Sequence, residues 1–228
     1  MTAITFDTLS PKHLPSLWQT LFEHTKTTFA TLDNINLTHH WLQQKRRLWR
    51  IITQNNPDDD RQLTDWLIDV FNTVFCHHHT VLVRGGDEPE YFASYDGAPA
   101  QIVFAHGYFA SSLHEISHWC IAGKKRRTLN DFGYWYAKDG RDKVAQQAFE
   151  QVEIKPQAIE CLLTLACCRY FYVSQDNLDA NFDTTDSTFA QDVHAQAFAY
   201  LNSPNTLPTD AKVLLVLLLL LCQDGFTL

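Results

Sequence analysis

Apolar positions recur at helical spacing in several separate stretches of the chain. In "RQLTDWLIDVFNTVF" the residues Leu63, Trp66, Leu67, Val70, Phe71, Val74 and Phe75 fall at i, i+3, i+4, i+7, i+8, i+11 and i+12, which predicts a strongly amphipathic helix. Weaker helical patterns cover residues 14–32 and 38–54 and stop at "NNPDDD", 55–60, a loop or boundary by its Pro, Asn and Asp content. "TVLVR", 80–84, is short, β-branched and bounded by Gly85 and Gly86, so it reads as a strand; "QIVFAH", 101–106, reads as a second. The turn-rich "GGDEPEYFASYDGAPA" between them reads as a loop. Helical spacing resumes from about 108 to 122 and ends at Gly123, a suitable residue for the position just past a helix.

Further along, "FGYWYAKDGRD", 132–142, predicts an extended aromatic stretch with an Asp-Gly turn. Two helices are expected over 143–154 and 156–172, with Pro156 in the first turn of the second. A polar loop, 174–187, separates them from a helix over 188–202. The apolar run "VLLVLLLLLC", 213–222, spans only about 15 Å as a helix, roughly half a bilayer core. It reads as a buried C-terminal helix that closes the core, the alternative being an interface with a second copy. This alternation of helices with a few short strands predicts a compact single α+β domain. Residues 1–60 form a helical extension and 61–228 the main domain.

Composition narrows the class. With 228 residues, of which 45% are hydrophobic and 19% charged, the chain can bury one sizeable core. A net charge of −8 argues against a general nucleic-acid binder, since phosphate neutralisation needs excess Lys and Arg. The six cysteines form no C-x-x-C pair and sit in apolar surroundings, as expected of reduced core residues in a cytoplasmic protein. The start, "MTAITFDTLSPKHLP", lacks the basic and apolar segments of a signal peptide.

The candidate chemistry lies in "SLHEISHW", 112–119. On a helix, positions four apart share a face, so His114 and His118 can address one cation. The H-E-x-x-H pattern is used by zinc peptidases with the Glu as general base, here Glu115. Two His and a Glu are expensive to bury without pairing or metal. The continuation H-x-x-G-x-x-H is absent, so a third ligand must come from further along the chain. Glu150, Glu153 and Glu160 are the candidates, with Glu153 favoured over Glu160 because the backbone beside Pro156 can aim it inward.

Other features carry less. "HHH", 77–79, reads as a solvated helix end, because neighbouring residues on an extended chain face opposite ways. His106 could line a site or satisfy a loop. Asp176 and Asn177 could shape a rim or make a turn. "KKRR", comprising Lys124, Lys125, Arg126 and Arg127, follows the motif helix, where cations are favourably placed. It also offers a docking patch for an acidic partner.

The blocks "IVFAHGYFASSLHEISHWCIAGKKRR", "DFGYWYAKDGRD", "FEQVEIKPQA" and "VSQDNLDANF", in that order, resemble the bacterial elongation factor P hydroxylase family from about residue 62 to 202. The resemblance implies an α+β fold with a metallopeptidase-like H-E-x-x-H helix beside a small sheet. It implies a metal-dependent monooxygenase that hydroxylates the β-lysylated lysine of elongation factor P. Carried over, the metal ligands are His114, His118 and Glu153, with Glu115 in proton transfer or around the ligands. Zinc has no redox chemistry, so Fe(II) is the expected metal, although zinc can occupy such donors in isolated protein. No 2-oxoglutarate-oxygenase pattern of His-x-Asp surrounds the helix. The expected partner is elongation factor P, with no direct nucleic acid and no membrane. Two rivals stand beside this reading: a zinc peptidase, and a non-catalytic translation-factor-binding protein with a structural metal.

Overall fold

The computed structural model describes residues 4–30, 37–53, 59–86, 88–133, 141–175 and 187–227. The helices α1 (Pro15–Ala30), α2 (Leu37–Thr53) and α3 (Asp59–Val74) come first, followed by strands β1 (Thr80–Arg84), β2 (Glu90–Phe92) and β3 (Ala100–Phe104). Four further helices follow among the described residues: α4 (Phe109–Arg126), α5 (Lys143–Ala166), α6 (Phe189–Asn202) and α7 (Thr209–Cys222). This is the α+β architecture expected, with the H-E-x-x-H helix α4 leaving β3 through a tight turn and packing back against it.

The sheet has the order β1-β3-β2, with β1 and β3 parallel and β2 antiparallel to β3. β2 corrects the expectation of a loop between the two predicted strands. Three residues are too few to show alternation in sequence, yet Tyr91 points inward while Glu90 and Phe92 stay out. The Tyr91 ring stacks on Phe132 at 4.1 Å and its hydroxyl donates to the Arg127 carbonyl at 2.8 Å.

The apolar helix α7 is the centre of the core, with every residue from Val213 to Leu219 at 0% exposure. It packs against α1, α2 and α5, as expected of a buried closing helix. Trp18, Leu21 and Phe22 of α1 are fully buried in the same cluster as Trp66, Phe71 and Trp119. Burial of each such side chain contributes roughly 1.5–3 kcal/mol, so the first helices are part of the core that supports the site. Among the described residues no helix is long and apolar enough to cross a membrane.

α5 brings the largest departure from expectation. The two helices predicted around Pro156 are one continuous helix with Pro156 inside it. A proline leaves the carbonyl four residues back without its helical partner. That residue is Val152, which is exposed, so water can serve the freed carbonyl. The helix also stops at Ala166, short of 172. Cys168 takes a left-handed φ of 57°, and the Arg169 and Cys168 amides donate back to the Thr164 and Leu165 carbonyls, each at 3.1 Å. This is a Schellman ending with cysteine where glycine is usual.

Candidate metal centre

α4 begins without a side-chain cap of its own, since Tyr108 cannot supply one. Asp60 does so from the start of α3, accepting from the Phe109 amide at 3.1 Å and pairing with Arg169 at 3.3 Å. At the other end Gly123 adopts φ 64°, breaking the helix where the sequence predicts. Between these ends Leu113, Ile116 and Trp119 turn fully into the core. His114 and His118 consequently share the face that meets α5.

α5 answers with a buried polar seam. Gln146, Glu150, Glu153, Gln157, Glu160 and Thr164 follow one another at intervals of four and three residues, and all six are buried. Such spacing keeps one face in register over the whole helix. Glu153 Oε1 lies 3.2 Å from His118 Nε2, and Glu153 Oε2 lies 3.7 Å from His114 Nε2. The two Nε2 atoms are themselves 3.1 Å apart. One ligand atom from each of His114, His118 and Glu153 lies within 4.8 Å of the others, the one such group among the described residues. Two imidazoles and a carboxylate on one side of a site form a donor set suited to a divalent transition metal.

The remaining carboxylates divide. Glu160 Oε2 sits 2.8 Å from His114 Nδ1, on the side of the ring away from Glu153. Glu150 is turned elsewhere: it accepts from Gln146 at 3.3 Å and from Ser187 at 2.9 Å. Gln157, which the sequence reading does not single out, donates to Glu153 at 3.4 Å. It also clamps the Ser174 backbone in both directions, at 2.7 and 3.0 Å. Gln146 and Arg141 both donate to the Gln175 carbonyl, at 3.0 and 3.4 Å. The 4-3 spacing of polar residues along α5 is the signal that finds these glutamines.

Electrostatics mark the cluster as short of positive charge. Burial alone would lower the His114 pKa, but the Glu160, Glu153 and Glu115 carboxylates outweigh it and push it up to about 10. Burial would raise Glu153, yet His118 and His114, with the Gln157 hydrogen bond, hold it down at about 2. Glu115 is raised, first by burial and then by Glu153 and Glu160, with the histidines opposing. A carboxyl raised in this way is a candidate for proton transfer.

The other sequence candidates lie apart from this group. His78 pairs with Asp210 at 3.0 Å, the His77 ring lies tilted against His78 at 4.2 Å, and His79 Nε2 meets the Gly97 carbonyl at 3.1 Å. His106 bridges β3 and α4 with φ 54°, its amide donating to Gly86. Within "KKRR" only Lys124 and Lys125 are exposed. Arg126 donates to the Phe132 carbonyl, while Arg127 pairs with Asp210 at 2.6 Å and lies 3.4 Å over the Trp119 ring. Asp176 and Asn177 lie outside the described residues, as does most of the stretch expected to be extended at 132–142.

The fold and the cluster define an α+β protein whose H-E-x-x-H helix faces a buried glutamate from a neighbouring helix, a two-histidine, one-carboxylate arrangement. The elongation factor P hydroxylase family model matches residues 70–222, and the chain belongs to that family. It is similar to the elongation factor P lysine hydroxylase of Haemophilus influenzae, with 45% identity over 150 residues, 65% of this chain and 83% of the relative.

Proposed function

We propose that this chain is a metal-dependent monooxygenase that hydroxylates the lysylated lysine of elongation factor P. The observation that carries the reading is the convergence of His114, His118 and Glu153 within 4.8 Å, in a chain of this family. The donor set fits a divalent ion, because three glutamates surround two histidines and the excess negative charge is buried. Held by these three residues, Fe(II) supplies the O2 chemistry that side chains lack and that zinc, without redox states, does not.

The chain's own residues do the rest. Glu115, with its raised pKa, holds and moves a proton beside the ligands. Gln157 fixes the Ser174 backbone against α5 and touches Glu153 only at the long limit of a hydrogen bond, 3.4 Å. Lys124 and Lys125 remain available to meet an acidic surface of the protein substrate. Residues 61–228 act as the hydroxylase unit, with 1–60 as a helical extension that braces α7.

The test is the mass of lysylated elongation factor P after incubation with the Fe(II)-loaded protein, a reductant and air. A gain of one oxygen, absent with His118→Ala, is expected. A metal-loaded protein that leaves the mass unchanged overturns the reading. Cleavage of a peptide instead, abolished by Glu115→Gln, would move the chain to the zinc-peptidase class.

A further inference from the structure

We propose that Glu160 is a positioning residue, one that fixes the tautomer and ring orientation of His114 so that Nε2 is presented to the cation. The role deepens the metal reading above and rests on it.

The geometry carries the argument. A carboxylate can only accept, so at 2.8 Å from Glu160 Oε2 the His114 Nδ1 must bear the hydrogen. A neutral imidazole then has its lone pair on Nε2, the atom that lies 3.1 Å from His118 Nε2 and 3.7 Å from Glu153. Glu160 therefore sits on the far side of the ring from the place where the three ligand atoms converge. It is out of position to be a third ligand, although the sequence alone makes it one of the candidates.

The surroundings exclude a surface charge. Glu160 is 8% exposed and its neighbours Ile159, Cys161 and Leu162 are fully buried. A leucine would pack at this position at far lower desolvation cost than a carboxylate. Among the described residues the hydrogen-bond partner of Glu160 is His114. Its place seven residues after Glu153 puts both carboxylates on the face toward α4, which requires the continuous helix through Pro156. A carboxylate behind a metal-binding histidine raises the basicity of the ring as well as orienting it, and its loss typically weakens metal binding 10- to 100-fold.

The experiment is a titration of the full chain with Co(II), followed by its visible absorption bands, for wild type, Glu160→Gln, Glu160→Leu, His114→Ala and the double variant His114→Ala/Glu160→Leu. Glu160→Leu is expected to weaken Co(II) binding about 10- to 100-fold and to shift the bands. Glu160→Gln, whose side-chain oxygen still accepts from Nδ1, should lose less and keeps the test alive if the leucine variant does not fold. In the His114→Ala background, removal of Glu160 should change nothing further, because its action passes through that ring. Unchanged affinity and bands in both Glu160 variants would overturn the role. Additive losses in the double variant would also overturn it, making Glu160 a direct ligand. If wild type itself binds no Co(II), the metal reading falls and takes this role with it. Wild-type binding with unaffected variants removes the positioning role alone.

Discussion

Two ion clusters sit at opposite ends of α4, and both combine histidine with carboxylate. At the C-terminal end Arg127, Asp210 and His78 form a closed set. Asp210 gives one oxygen to each partner, at 2.6 and 3.0 Å, and the guanidinium lies 3.4 Å over the Trp119 ring. One permanent cation matches one permanent anion, and α7, α4 and the turn before β1 are tied together. Nearer the N-terminal end three glutamates surround His114 and His118. Neutrality there depends on cations from outside, either protons on the rings or a metal between them. The first cluster is complete as folded; the second is built for something to be added. What separates a structural ion pair from a binding site in this molecule is charge balance: both sets pair histidine with carboxylate, but Arg127 gives the first a permanent cation that the second lacks.

The sharpest way to break the comparison is to exchange consequences between the ends. His118→Ala should reduce hydroxylation of lysylated elongation factor P by at least about 10³-fold, since a ligand is lost outright. Its melting temperature should fall less than that of an Arg127→Ala variant, because His114 and Gln157 remain beside Glu153 when His118 is removed. Arg127→Ala should do the reverse. Removing one partner of a largely buried pair leaves Asp210 undercompensated and costs about 3 kcal/mol, read by urea unfolding, while the folded fraction keeps its turnover. An Arg127 variant that is fully stable, or a His118 variant that is fully active, would remove the distinction.

A third effect follows from the open cluster alone. With His114 at about 10, a proton occupies the site in the metal-free protein at neutral pH and must leave when a divalent ion binds. Apparent Co(II) affinity should therefore rise about tenfold per pH unit, roughly 100-fold between pH 6 and 8. Calorimetry in buffers of different ionisation enthalpy should count about one proton released. The signs for stability are opposite for the two partners. His114 is raised, so its contribution is complete below 6.5 and fades as pH climbs through about 10. Glu153 is lowered, so its contribution is complete above 4.5 and fades as pH drops through about 2. The metal-free protein should thus gain most from this cluster between about pH 4.5 and 6.5. Metal affinity that is flat with pH would show that the site closes without a proton.

Much of this was readable in advance. The amphipathic α3, both parallel strands, the motif helix ending at Gly123 and the buried α7 all announce themselves by periodicity or by glycine placement. His114, His118 and Glu153, singled out by spacing and by the family resemblance, have ligand atoms within 4.8 Å of one another. The failures share a cause: a local signal outweighed by packing. Pro156 reads as a helix start, yet burial of the polar seam against α4 keeps α5 unbroken. Cys168 gives no hint of a left-handed helix ending. Arg127 looks like part of a solvated basic run until Asp210, 83 residues later in sequence, arrives beside it. The α5 seam was legible in principle, since Gln146, Glu150, Glu153, Gln157, Glu160 and Thr164 keep one register through the proline. Read as a pattern it predicts both the continuous helix and the inward carboxylates.

The smallest expected effect tests how far the open cluster extends beyond its charged members. Gln157 touches Glu153 at 3.4 Å, near the long limit for a hydrogen bond, but grips the Ser174 backbone at 2.7 and 3.0 Å. Its hold on the ligand is weak and its hold on the segment leaving α5 is firm. Gln157→Leu keeps the volume and removes both. A well-formed hydrogen bond to an ionised carboxylate is worth about 1.5–3 kcal/mol, but this one is stretched to 3.4 Å, so Co(II) affinity should fall only about fivefold. The segment should respond more strongly: the Ser174 amide loses its acceptor, and its hydrogen exchange should speed up while amides within α4 are unaffected. If affinity instead collapses as in His118→Ala, Glu153 depends on Gln157 for its aim, and the boundary between ligands and scaffold lies one residue further out along the seam.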